Sequence, residues 1–218
     1  MTEGSHDARE IEAFYRRCAV LRRRFQDAAL RSVPVPKVME HAERLGLPVG
    51  RGALTQVAEG DLDYAFDLAV HTAPPGRSRA IERIGRAQGR AAEGEARLVL
   101  RALETAWFSV FRVRDGHPLA GLVLEDALLG GEAWVVDEAL TESAAPGTIL
   151  ATRIGRVRGF AITCGVVAGL NEAMLATCRR IAAEAGLTPA ELAAEPRFAT
   201  MLYRQALGID ILDEFGDA

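Results

Sequence analysis

Three cysteines in 218 residues, none in a CxxC spacing, exclude a disulfide framework and a cysteine-held zinc site. Lysine is almost missing. Lys37 stands alone and arginine supplies the rest of the positive charge, a bias that fits a GC-rich genome better than a design for phosphate contacts. No apolar run approaches the roughly 18 residues that a bilayer span requires. Phosphate-loop and dinucleotide signatures are absent: Gly50-Arg-Gly52 lacks the third glycine of GxGxxG, and no glycine-lysine-serine or -threonine motif exists. There is no GxSxG elbow. The four histidines (His6, His41, His71, His117) form no HxxxH or HExxH pattern, so neither a metal nor a cofactor is expected. Met1 to Asp7 is polar, without a basic stretch leading into an apolar run. A chain with no secretory leader, in a reducing cytoplasm, is the expectation.

What is present is an ordinary globular composition, 49% hydrophobic and 26% charged, enough to bury a core. Net charge is −4 but uneven: about +2 over residues 1–105 and about −6 over residues 106–218, with acid gathered at Asp210, Asp213, Glu214 and Asp217.

Periodicity predicts a helical region over residues 1–105. Ile11, Phe14, Cys18, Leu21, Phe25 and Ala28 form one apolar stripe at three- and four-residue steps. Ser32-Val-Pro-Val-Pro36 ends that helix. A shorter helix is expected from Lys37 to Leu45 with Gly46 as its C-cap, then a loop from Pro48 to Gly52. The next helix starts at Gly60-Asp61 and buries Leu62, Ala65, Phe66 and Ala69. Ala73-Pro-Pro-Gly76 breaks the chain. Ser78 to Ala106 is helical, with a kink or a division into two near Gly89 to Gly94.

Residues 106–168 read as a β domain of five short strands. These are Trp107 to Arg114, Leu119 to Leu124, Glu132 to Asp137, Thr148 to Val157, and an alternating run from Phe160 to Val166. Asp126 is expected to cap a single turn before Gly130-Gly131. Two helical stretches over residues 169–218 close the chain: Asn171 to Ala185, then Pro189 to Ala194 and Phe198 to Ile211. Thr188 and Glu191 form a capping box. The expected fold is α+β, with a five-stranded antiparallel sheet, a meander or a small partly open β-barrel, between N-terminal and C-terminal helices.

Five arginines on the first helix (Arg16, Arg17, Arg23, Arg24, Arg31) offer a face for an anion or an acidic partner; the alternative is a solvated face neutralised by Glu10, Glu12 and Asp27. The stripe beneath has near-heptad spacing and offers self-association, against packing on the rest of the chain. His41-Ala-Glu-Arg-Leu-Gly46 is similar to the start of a helix-turn-helix, but Pro48, Gly50 and Gly52 stand where its second helix should begin. Cys164 and Cys178 sit in apolar contexts and read as structural. Asp126, Asp137 and Arg153 lie within or beside the sheet and are the candidates for a polar, acid–base cleft, weighed against turn caps and an Asp137–Arg153 ion pair. Trp107 and Trp134 read as core anchors, one of them at a pocket edge.

The stretches Ala106-Trp-Phe-Ser-Val-Phe, Gly121-Leu-Val-Leu-Glu-Asp-Ala-Leu-Leu, Trp134-Val-Val-Asp and Ala151-Thr-Arg-Ile resemble a bacterial family of uncharacterised proteins. The likeness covers mainly residues 106–168 and implies no activity, cofactor or catalytic residue. The function expected is therefore a non-catalytic interaction or adaptor protein. A nucleic-acid-associated protein using the arginine helix comes second, and an enzyme with its cleft at the sheet third. No membrane partner is expected.

Overall fold

The computed structural model describes residues 3–50, 53–54, 57–58, 60–74 and 76–208. The expected continuation of the last helix to Ile211 and the four late acids lie outside the described residues, as do Pro75 and residues 51–52 of the expected loop.

α1 (Glu3–Arg31) runs to the predicted stop. α2 (Val35–Arg44) begins two residues earlier than expected, because a proline at the first turn removes no intrahelical hydrogen bond. Gly46, at φ 79, ends it and lets the Leu47 N–H reach the Ala42 carbonyl at 2.9 Å. The expected loop is instead part of a short hairpin, β1 (Val49–Gly50) with β2 (Ala53–Leu54). α3 (Asp61–His71) follows. The glycine-weakened stretch divides into α4 (Ala80–Gln88) and α5 (Gly94–Glu104), the turn between them passing through Gly94 at φ 52.

The sheet comprises β3 (Trp107–Gly116), β4 (Leu122–Asp126), β5 (Glu132–Val135), β6 (Ile149–Val157) and β7 (Phe160–Leu170), with α6 (Glu138–Ser143) between β5 and β6. The chain is thus α+β, but the expected antiparallel sheet, meander or partly open barrel is corrected. Pairing runs β3–β4–β5–β7–β6 and returns to β3, and the β5–β7 link, Val135 opposite Ala161, is parallel. The reason is arithmetic. Strand direction cannot alternate all the way round a closed circuit with an odd number of members, so one link must be parallel. α6 was also unforeseen: Asp137, expected at the end of a strand, instead caps this helix, its carboxylate accepting from the Leu140 N–H at 3.1 Å.

α7 (Glu172–Glu184), α8 (Pro189–Ala194) and α9 (Pro196–Ala206) close the described chain, with the Thr188–Glu191 capping box in place. Three apolar clusters result. Phe111, Val113, Leu124, Leu150 and Ile154 pack together from β3, β4 and β6. Phe14, Cys18 and Phe25 of α1 meet Ile81, Val99, Leu103, Phe160 and Ile162. Leu45, Leu68, Phe108, Ala151, Leu175, Phe198 and Leu202 form the third, which joins α2, α3, α7 and α9 to the sheet. At roughly 1.5–3 kcal/mol for each large side chain removed from water, these clusters are the main source of stability. No helix among the described residues is long and apolar enough to cross a membrane.

Candidate functional site

α3 is buried at Ala65 and from Asp67 to His71, and its buried polar residues Asp67 and His71 lie one turn apart, on one face. Neither can be solvated there, so both require partners from neighbouring elements. Arg153 enters from β6: its Nε and Nη2 donate to the Asp67 carboxylate at 3.4 and 3.3 Å. From α9, the Tyr203 hydroxyl donates to Asp67 Oδ2 at 2.9 Å. His71 Nε2 stands 4.0 Å from Asp67 Oδ1, and Gln26 Nε2 of α1 lies 3.5 Å from it while also donating to the Cys164 carbonyl at 2.7 Å. Reading the Gln26 amide as donor to Nε2 places the ring proton of a neutral His71 on Nδ1. That nitrogen is buried and has no hydrogen-bond partner among the described residues.

The cluster borders a cavity of about 490 Å³, within the usual range for small-molecule sites. His71 and Arg153 line it, with Trp107, Phe108, Ala199 and Pro196 as apolar walls and Arg77, Arg79, Glu82 and Glu195 among its charged residues. Trp107 is held from behind: its indole N–H donates to Asp126 Oδ2 at 3.3 Å, and the Arg156 guanidinium lies 5.3 Å above its ring. Arg153 itself lies 5.4 Å over the Phe108 ring.

Burial pushes the His71 imidazolium down to about 3, further than the nearby Asp67 can raise it, so the ring is neutral at ordinary pH. Burial alone raises the Asp67 carboxyl, but the Arg153 charge and the bonds from Arg153 and Tyr203 outweigh it and hold the group below the ordinary aspartate value. The Tyr203 hydroxyl is carried well above 10 by burial and by Asp67. Burial pushes the Cys164 thiol up to about 12, and Cys18 and Cys178 to about 11. The arrangement is therefore a buried Asp67–Arg153 ion pair of zero net charge beside a neutral imidazole whose Nδ1 lacks a partner among the described residues.

The three sheet candidates do not share one constellation. Arg153 joins the cavity. Asp126 supports its wall: it caps the turn that follows β4, accepting from Leu128 and Leu129 N–H at 3.1 and 2.9 Å, and also receives the Ser109 hydroxyl at 2.6 Å. Asp137 belongs to a separate cluster with Thr163 and Arg22, which lies 3.8 Å from it. There Arg22 donates to the Thr163 carbonyl at 2.8 Å and ties α1 to β7. The Asp137–Arg153 pair is thus replaced by Asp137–Arg22 and Asp67–Arg153. On the arginine face, Arg16 is bound to Glu138 at 2.6 Å and Arg17 to Glu95 at 2.8 Å, while Arg23, Arg24 and Arg31 are exposed. The stripe offered for self-association is occupied within the chain, Phe14 meeting Phe160 edge-to-face at 5.8 Å.

Sequence reasoning missed Asp67, Tyr203 and Gln26. The signal for the first was available: an aspartate and a histidine four apart on a helix that is otherwise apolar on that side. Among the described residues no group of His, Cys, Asp and Glu is arranged to hold a metal.

The model of one protein family matches residues 20–177, described as a family of unknown function (DUF7986). No curated protein and no solved structure matches the chain.

Proposed function

Because the chain belongs to that family of unknown function, whose description attaches no activity, we propose from the geometry that it is a non-catalytic interaction protein. Its cavity takes a ligand group that presents an oxygen acceptor to His71 and Arg153 and an apolar body to the aromatic wall. One observation carries the reading: His71 and Arg153 line a cavity, and the buried His71 Nδ1 has no hydrogen-bond partner among the described residues. An orphaned buried donor costs roughly 1–3 kcal/mol, which a bound acceptor would recover. A carbonyl suits the site better than a dianion, since Asp67 already balances the Arg153 charge.

The ionisable groups support binding over catalysis. A general acid–base group works best with its pKa near the working pH, and a nucleophilic thiol needs a lowered one. His71 at about 3, thiols at 11 to 12 and Tyr203 well above 10 are shifted the opposite way. The three cysteines are unbridged, which suits a reducing bacterial cytoplasm. The arginine helix is the weaker alternative, two of its five cations being matched by Glu138 and Glu95.

The test is a fragment screen by ligand-observed NMR on the full chain and on His71→Phe, a shape-conserving change that deletes Nδ1–H. Amide- and carbonyl-bearing rings are expected to bind and to lose about tenfold in the variant, in line with one hydrogen bond. Equal binding to both proteins, or no binding by any such ring, would overturn the reading.

A further inference from the structure

An outer groove of about 1180 Å³ runs beside the inner cavity and shares residues 72–74, Arg77 and residues 194–196 with it as lining. That volume exceeds the usual span of small-molecule sites and suits a length of chain. Val33, Pro34, Pro74 and Leu187 give the groove apolar surface, and its cations fall into two groups. Lys37 and Arg44 are both bound by Glu40, which offsets them. Arg77, Arg83 and Arg197 are exposed and form no ion pair with any described residue. Arg83 donates to the Ser78 carbonyl at 2.8 Å and to the Ser32 hydroxyl at 3.5 Å, neither of them charged. Glu191 is engaged in capping α8, which leaves Glu195 against the three arginines.

The same chain carries a segment that matches this lining. Residues 209–218, Ile-Asp-Ile-Leu-Asp-Glu-Phe-Gly-Asp-Ala, lie outside the described residues. They combine four acids (Asp210, Asp213, Glu214, Asp217) and no base with Ile209, Ile211, Leu212 and Phe215. The other 26 acids balance the 26 bases, so the whole net charge of −4 resides in these ten residues.

α9 joins segment to groove. It begins at the groove, where Pro196 and Arg197 are lining, and its 11 residues run for roughly 16 Å. Gly208, at φ 71, then takes the left-handed conformation that turns a chain off a helix axis. Ten extended residues reach up to roughly 33 Å, about twice the distance back. A short tether also holds the segment at about millimolar local concentration, so docking of modest intrinsic strength suffices.

We propose that the outer groove is the docking surface for residues 209–218 of the same chain. Asp213, Glu214 and Asp217 pair with Arg77, Arg83 and Arg197, and Phe215 covers the apolar lining. Opposite charge sets the orientation and apolar burial adds to it. Docked there, the segment lies along the rim shared with the inner cavity, and the assignment stands apart from what that cavity binds.

The three native thiols are buried, so a nitroxide can be placed on the full chain at one added cysteine, Ala218→Cys. Paramagnetic broadening of the backbone amide signals then shows where the segment lies. The signals of Arg77, Arg83 and Arg197 should lose most of their intensity and regain it when the nitroxide is reduced. That loss should fall at least about twofold between about 0.1 and about 1 M salt, as the screening length shortens from about 10 to about 3 Å. It should fall likewise in Arg83→Gln/Arg197→Gln and in Phe215→Ser, with amide positions elsewhere in the chain serving as the control for folding. No broadening, or broadening spread evenly over the surface, would overturn the inference. So would broadening centred on Arg23, Arg24 and Arg31, which would place the segment on α1. Groove broadening seen only when labelled chains are mixed with isotope-enriched, unlabelled ones would assign the groove to a second copy and overturn the intrachain contact. Groove broadening indifferent to the substitutions would overturn the pairing.

Discussion

Arg153 of β6 and Asp67 of α3, 86 positions apart in the chain, close a buried ion pair at 3.3 Å, with side chains 7% and 1% exposed. Pairs this deep contribute little net stability against an apolar substitute, yet breaking one strands a charge. Arg153→Met is expected to cost about 3–5 kcal/mol in urea denaturation, and Asp67→Leu a similar amount. The double variant should cost clearly less than the two together, because no uncompensated charge remains. Strict additivity would mean that the two residues do not depend on each other.

His71 makes stability depend on pH. The unfolded imidazole takes a proton near its ordinary 6.5, while the folded one stays neutral until about 3. Between those values the unfolded chain binds the extra proton, so stability falls as pH falls. From pH 7 to pH 5 the unaltered protein should lose about 2 kcal/mol more than His71→Phe. Parallel losses in the two proteins would show that His71 is not buried in neutral form.

Gly155 sits where α5 crosses β6. A Cβ there would run into the carbonyl of Ala102, whereas one at Gly159, in the β6–β7 turn, would meet nothing within 4 Å. Gly155→Ala should therefore destabilise by about 1–3 kcal/mol as overpacking does, and Gly159→Ala by much less. Thermal melts of the two variants separate the outcomes.

All three thiols are buried and their pKa values raised by that burial. A disulfide reagent at pH 8 should leave the native protein essentially unlabelled over minutes and modify three sites per chain after denaturation. Rapid labelling of the native protein would place a thiolate at the surface.

Much of this architecture is legible in the sequence where a local rule suffices. The stripe Phe14, Cys18, Phe25 requires a buried face, Thr188 with Glu191 defines a helix start, and Arg158-Gly159 between two apolar runs requires a hairpin. Asp126 is recognisable as a cap from the glycines that follow it. The β5–β7 pairing is not legible, because it rests on one register position with no pattern of its own and follows only from the number of strands. Asp137 shows the same limit: its cap on α6 is local, while its partner Arg22 lies on another element. The cavity was the least legible part. Arg153 draws notice as a charge in a strand, but its meaning comes from Asp67, His71 and Tyr203, which the fold alone brings to it.

That parallel link is also the clasp of a bracelet. One bridge, Val135 opposite Ala161, beside which the Val136 N–H donates to the Ala161 carbonyl at 2.9 Å, joins β5 to β7, whereas every other joint in the circuit is several residues long. The circuit parts most cheaply there. Opened at that point, β4 and β5 move as a single leaf that carries Trp134 and the His117 ring stacked on it. The Asp67–Arg153 pair, anchored on α3 and β6, does not ride on the leaf. The leaf reaches the cavity through Leu129, which lines it, and through Asp126, whose carboxylate holds Trp107 in the wall, so movement of the leaf bears on the shape of the pocket at both residues.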